Sequence, residues 1–307
     1  MHKRENKKLG TLVRQQYDLI FLALPAILVT IVFHYIPIYG ITIAFQDYNP
    51  WDGYFSSEWV GLKHFIRFFN DPLAMRTFKN TVILGTMSYV IGWAPPIVLA
   101  LLLNELKHLR FKKVVQSISY LPHFISTVIV VGIMIRFISV DGGIINTIIA
   151  ALGRDKIVFL NESVWFRPLY IITGLWQGIG WGSIIYLAAI NGIDPQLYEA
   201  ASVEGANRLQ QAIHITLPGI TPTIVILLIL GISGLISADF DKVLLMQNPV
   251  TYEVSDIVGT YIYRKGILGS NSQSYSTAIG LINSVLSLLL IMGANWFSGK
   301  VGETKLW

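Results

Sequence analysis

The chain has 307 residues, of which 53% are hydrophobic and 13% charged, with no cysteine and a formal net charge of +5. An average soluble domain carries about 25% charged residues, and with a mean hydropathy of +0.57 this chain has too little charge to cover a soluble surface. These values argue against an ordinary soluble enzyme, a disordered regulator and a disulfide-stapled secreted domain, and leave a polytopic membrane protein.

Residues 1–18 read as a polar tail carrying Lys3, Arg4, Lys7, Lys8 and Arg14. No short apolar core followed by a small-residue cleavage site is present, so the first apolar stretch is expected to stay as a helix. A helix needs about 20 mostly apolar residues to cross the hydrocarbon. Six stretches qualify: 19–45, 81–103, 114–138, 169–190, 223–245 and 277–297. None alternates with period two, which argues against a barrel. The expected fold class is an all-α polytopic membrane protein with six transmembrane helices and both termini on one side. The basic tail and the short loop holding Lys107, Arg110, Lys112 and Lys113 put that side in the cytoplasm. The whole-chain tally of basic residues is nearly balanced between the two sides.

Within the second stretch, Pro95-Pro96 removes two backbone donors and kinks the helix, either as a flexing point or as a static bend. In the fourth, Tyr170, Gly174, Gln177 and Trp181 recur at helical spacing on one face. Two readings stand: packing around Gly174, Gly178 and Gly180, or a wall whose aromatic faces stack on sugar rings while an amide satisfies hydroxyls.

The loop 191–222 is more than a connector. Asp194-Pro195 starts a helix with a capping side chain and a proline whose missing N–H costs nothing at the first helical position. Gly205 stops that helix. A second short helix is expected over 207–215, with Leu217-Pro218 and Pro222 breaking the chain before the next span. By spacing alone this is either an interfacial amphipathic anchor or a docking element for a cytoplasmic partner. The fifth stretch carries Ser233 and Ser237, with Asp239 and Asp241 near its outer end, and the sixth carries Asn283. The serines can bond back to their own helix, and the acids are either solvated or paired with Lys242.

No phosphate-binding loop is present: Gly299-Lys300 is followed by Val301, and Ala294 stands where a glycine is needed. There is no HExxH or GxSxG, and the six histidines show no paired ligand spacing. No metal site and no catalytic group are expected. No basic run is interleaved with stacking aromatics, so no nucleic-acid partner is expected either.

The segment Glu199-Ala200-Ala201, then Gly205, then Ile215-Thr216-Leu217-Pro218 resembles the EAA motif of ABC importer permeases, with every fixed position filled. Glu204-Gly205-Ala206 is similar to the DGA segment common there, with Glu204 for the more usual aspartate. Tyr120 to Ser126, residues 248–267 and residues 275–285 resemble the polysaccharide- and oligosaccharide-type branch. The resemblance implies a methionine-importer-like type I ABC permease fold. Its parts would be a cytoplasmic tail (1–18), a first transmembrane helix (19–45), a five-helix core (77–297) containing the cytoplasmic coupling loop (191–222), and a C-terminal tail (298–307).

It further implies that Glu199, Ala200, Ala201, Glu204, Gly205, Ala206, Leu217 and Pro218 couple the chain to an ATPase. Tyr170, Gln177, Trp181, Ser233, Ser237, Asp239 and Asn283 would be substrate-pathway candidates. The implied partners are a second homologous permease subunit, an ABC ATPase dimer that holds ATP and magnesium, an extracytoplasmic solute-binding lipoprotein, an oligosaccharide and membrane lipid. This chain would bind no cofactor and would sit in the bacterial cytoplasmic membrane. The rival is an ion-coupled secondary transporter without an ATPase, which would call for an ionisable group near mid-membrane.

Overall fold

The computed structural model describes residues 17–269 and 273–301, with nothing of the Val301 side chain. The basic tail and most of the C-terminal tail lie outside these residues. Among the described residues, five single helices are long and apolar enough to span a membrane: Tyr17–Phe45, Pro72–Glu105, Ser163–Ile190, Arg208–Ile236 and Gln273–Lys300. A sixth span is a bent pair, Leu109–Phe124 with Thr127–Ile138. They are called spans one to six in chain order, the bent pair being span three.

Span one stands apart, with no buried residue between Tyr17 and Thr30. It joins the body only at its far end, where Ala44 is buried and the following residues Gln46–Asp47 pair antiparallel with Glu58–Trp59. Span two opens on a cap. The Asp71 side chain accepts from the N–H groups of Leu73 (2.9 Å) and Ala74 (3.3 Å), and Pro72 fills the first helical position. The kink falls at Trp93, between helical pieces Pro72–Gly92 and Ala94–Glu105.

Span three differs from the expected continuous helix over 114–138. Its halves meet at a 104° bend. The cause is local. Pro122 has no N–H to continue the helix, and Ser126 adopts extended backbone and caps the next helix. Span four holds the bend: Gln177 Nε2 donates to Ile125 O at 3.1 Å, and Trp181 stacks on His123 at 4.5 Å between ring centroids. A Cβ at Gly180 would overlap the Ser119 carbonyl, so only glycine lets the two helices meet there.

Span five also corrects the sequence expectation. It runs from Arg208 to Ile236, not 223–245, and there is no separate short helix over 207–215 and no break at Leu217-Pro218. A π-helical turn, Ala212–Thr216, precedes Pro218. Its wider hydrogen-bond ring absorbs the donor that proline lacks. The span instead ends at Ser237, where the backbone becomes extended. A new short helix, Phe240–Met246, then starts with Asp239 as its cap.

The three long loops fold together at one end. Asn80 Nδ2 donates to the carbonyls of Glu253 (2.9 Å) and Asp256 (3.1 Å). The Val258 N–H donates to Thr81 Oγ1 at 2.9 Å, and Asn248 Nδ2 donates to Leu160 O at 2.8 Å. The Tyr261 hydroxyl donates to Asp71 Oδ2 at 2.7 Å. At the other end Arg208 Nη1 meets Glu105 Oε2 at 3.2 Å, so the loop 191–207 and the short loop after span two share a face. The core follows this division. Leu84, Val131, Phe166, Tyr170 and Val243 cluster toward the long loops, and Ile97, Leu103, Tyr186, Ile190 and Ile220 toward the coupling loop.

Gly85 is the tightest joint between spans two and five. A Cβ there would overlap the Gly234 carbonyl oxygen and lie 2.6 Å from those of Leu235 and Ser237. All three are backbone atoms and cannot rotate away. Gly280 has open space around it. We expect Gly85→Ala and Gly180→Ala each to cost about 1–3 kcal/mol, as overpacking does, and Gly280→Ala to cost little. Thermal unfolding of the purified variants checks this.

Burial pushes the Asp71 carboxyl up, but hydrogen bonds from Tyr261, Ala74, Leu73 and Tyr275 outweigh it and hold its pKa below the usual carboxylate value. Its folded pKa therefore lies below its unfolded one, and its stabilisation is present above about pH 3.9 and fades as pH falls through the folded value. In Asp71→Asn the acid-side loss of thermal stability should be shallower than in the parent, as a melting series in acid buffers would read.

Candidate coupling site and translocation cavity

The coupling loop is built from caps. Asp194 accepts from the Gln196 N–H at 2.9 Å and starts the helix Pro195–Val203. Gly205, at φ +84°, ends it in the left-handed conformation that favours glycine. The Ala206 N–H reaches back to Ala201 O at 2.9 Å. Asn207 then caps span five in a reciprocal box with Gln210, at 2.9 and 2.8 Å. Two further bonds tie the short helix to the long one: Gln211 Nε2 donates to Ser202 Oγ at 2.9 Å, and the hydroxyls of Tyr198 and Thr216 meet at 2.9 Å. A Cβ at Gly219 would lie 2.7 Å from the Ile193 side chain, so the loop also closes tightly on the base of the span.

These bonds sort the motif residues by role. Ala201 and Ala206 are half-buried against the long helix, while Glu199, Ala200, Glu204 and Gly205 are exposed. Val203 is 89% exposed, an apolar side chain presented to whatever covers the loop. Leu217 and Pro218 lie inside the continuous helix, both exposed. They are part of the rod rather than a hinge.

A cavity of about 400 Å³ lies between spans two and four. Gly174, Gly178 and Gly182 of span four, Ser88, Gly92 and Pro96 of span two, and Tyr170 and Lys242 line it. The Tyr170 hydroxyl accepts from the Asp239 N–H at 2.8 Å, and the Lys242 ammonium lies over the Tyr170 ring at 5.3 Å. Asp239 Oδ2 is 3.9 Å from Lys242 Nζ. Tyr170, Asp239 and Lys242 thus meet where span five has unwound.

Other pathway candidates lie elsewhere. Gln177 and Trp181 face the bend in span three and do not line this cavity. Trp181, His123 and Phe124 form a partly exposed aromatic cluster instead. Ser233 is half-buried in the last turn of span five, and Ser237 is exposed at its end. Asn283 Oδ1 is buried with no hydrogen-bond partner among the described residues. Sequence reasoning missed the cavity's glycine wall as a wall, because Gly174 and Gly178 read equally as packing glycines together with Gly180, and nothing in the sequence singles out Gly182. It treated Lys242 only as a partner for the acids, since nothing in the sequence marks a lysine near a span end as buried.

Residues 81–302 match the family described as binding-protein-dependent transport system inner membrane component. The chain belongs to that family. It is 47% identical to the polygalacturonan/rhamnogalacturonan transport system permease protein YteP of Bacillus subtilis (strain 168), over 99% of this chain and 95% of the relative. It is 42% identical to Protein LplB of the same organism, over 94% of this chain and 90% of that protein. Among solved structures, one chain of a bacterial ABC transporter involved in import of the acidic polysaccharide alginate superposes with a TM-score of 0.88 at 38% identity, covering 96% of this chain and 99% of that one. The MetNI methionine ABC transporter matches at a TM-score of 0.51 and 15% identity over 74% of this chain, a likeness of fold alone. This chain is therefore a membrane permease subunit of type I ABC fold, and ATP hydrolysis belongs to a separate subunit.

Gly205→Ala should strain the loop by about 1–2 kcal/mol, the cost of a left-handed L-residue, and Gly205→Asn by less. Asn207→Ala should cost about 1 kcal/mol through the lost cap. Faster hydrogen exchange over residues 195–211 in both alanine variants would register these losses.

Proposed function

We propose that the chain is one of two homologous permease subunits of an ATP-driven importer of oligosaccharides. Each subunit forms half of the pathway, an extracytoplasmic solute-binding lipoprotein delivers the saccharide, and an ATPase dimer with its ATP and magnesium docks on the coupling loops. The chain itself carries no cofactor. The coupling loop and both termini face the cytoplasm, and the spans lie in the bacterial cytoplasmic membrane.

The observation that carries the reading is the loop itself. The short helix is fastened to span five by two side-chain hydrogen bonds, Gln211 to Ser202 and Tyr198 with Thr216, with capped ends on either side of the turn, and it leaves Glu199, Ala200 and Val203 exposed. A loop so braced moves with the span, and its exposed face is shaped to enter a groove. The oligosaccharide is supported by the names of relatives of high identity and coverage, one for polygalacturonan and rhamnogalacturonan and one for alginate. Tyr170, Ser233, Ser237, Asp239 and Asn283 remain the proposed pathway group. Gln177 and Trp181 join it through the bend in span three, where Trp181 and its aromatic neighbours offer faces for a sugar ring.

The test is purification in gentle detergent from the native host. Recovery of a second permease and an ATP-binding protein, lost in a Glu199→Arg, Val203→Asp variant, is the expected result. In Ala200→Trp the complex should still hydrolyse ATP while uptake falls. Recovery of the chain alone, where a control transporter complex survives, would favour an ion-coupled carrier and contradict the proposal.

A further inference from the structure

Lys242 is an unusual residue for the place it occupies. It is only 5% exposed, and its side chain reaches into the cavity between spans two and four. A buried ammonium ordinarily has a carboxylate or several acceptors in hydrogen-bond contact. Here no hydrogen bond from Nζ to the described residues satisfies it, and the nearest acid oxygen, Asp239 Oδ2, is 3.9 Å away. Asp239 cannot close on it freely, because its other oxygen accepts from the Lys242 N–H at 3.0 Å as the helix cap. The Tyr170 ring face, at 5.3 Å, is the remaining attractive group.

The walls leave room for a ligand. Gly174 contributes no side chain, and a Cβ there would already lie 3.3 Å from Nζ. Gly174, Gly178 and Gly182 recur every fourth residue; Gly182 packs against Pro96, while Gly178 has open space around it and bares helix backbone beside which a sugar ring can lie. Gly174 and Gly178 are half-buried, so the ammonium's compartment is not sealed. Its volume, about 400 Å³, lies in the range of small-molecule sites. Ser88 and the Tyr170 hydroxyl add polar atoms near the charged end.

We propose that this cavity binds the carboxylate of an acidic sugar unit, with Lys242 as the group that receives it. The inference rests on the oligosaccharide reading above and adds the charge class of the cargo and the residue that selects it. A neutral sugar would leave the ammonium with Asp239, 3.9 Å away, and no carboxylate in hydrogen-bond contact. A uronate unit places an anionic oxygen at Nζ and its ring along the glycine wall. Gly174 then acts as a specificity residue, because any side chain there crowds the ammonium.

The test uses the complete reconstituted importer with its own partner permease, ATPase and binding protein. The probes are a galacturonate trisaccharide and its methyl ester, which keeps the rings and removes the charge. Each variant is compared with wild type for each probe, so selection by the binding protein cancels. In Lys242→Met the KM for uptake of the acid should rise about tenfold or more, the scale of a lost charge-assisted hydrogen bond, with the ester changed about twofold or less. Lys242→Arg should retain most of the acid preference. Gly174→Ala should lose part of it while Lys242 remains. Equal effects of Lys242→Met on both probes, or no effect on either, would overturn the assignment. So would a wild-type importer that carries the ester and not the acid, which leaves the oligosaccharide reading standing. If wild type carries no oligosaccharide at all, both fall.

Discussion

Span five has to end inside the protein, and the backbone of span two has to sit against its unwound last turn. Everything else depends on that junction. The last carbonyls of a helix have no partner within it, and here those of Gly234, Leu235 and Ser237 lie against Gly85. The absence of a side chain at 85 lets the two backbones close in, as small residues do between membrane helices. The extended turn at Ser237 and Ala238 then sends the chain sideways into the cavity region, so that Asp239 and Lys242 meet Tyr170 of span four.

That arrangement joins the two ends of the molecule mechanically. At one end, Asn207 and Gln210 cap span five, and the Gln211–Ser202 and Tyr198–Thr216 bonds tie it to the coupling helix. At the other, the span terminates beside the cavity. Between them the helix is continuous through Pro218 and Pro222, because the π-helical turn over Ala212–Thr216 absorbs the lost donor. Under the proposed function, a push on the coupling helix would be carried about 40 Å, the length of a helix of this size, to the residues around Lys242. The bend in span three supplies a second joint on the same cavity-bearing helix, through Gln177 and Trp181. Rigid elements meeting at discrete joints are what rocking between two states requires.

Much of this was legible in the sequence. Six apolar stretches gave six spans, and Asp194-Pro195 and Gly205 marked the ends of the coupling helix because capping chemistry is local. The misreadings had a common cause. Proline was read as a break at Leu217-Pro218, where a π-helical turn accommodates it. The continuous apolar run over 114–138 hid a 104° bend made by Pro122 and Ser126. The regular spacing of Tyr170, Gln177 and Trp181 put them on one face, yet only Tyr170 lines the cavity. Spacing fixes a residue's direction on its helix, but which neighbour fills that direction is decided by long-range packing. Lys242 was hidden for the same reason, since its burial comes from span four.

The central claim is that the coupling helix and span five form one rigid body. The chain has no cysteine, so paired cysteines introduced at exposed Val203 and Leu230 would be the only spin-labelled sites in this chain, which is labelled before assembly with its partners. The decisive measurement is the distance between them by pulsed electron resonance in the assembled complex, without nucleotide and with ATP trapped. The account predicts one unchanged distance in both states, while a pair at Val203 and Val98 of span two changes. A shift in the Val203–Leu230 distance would put a hinge at Leu217-Pro218 and contradict it.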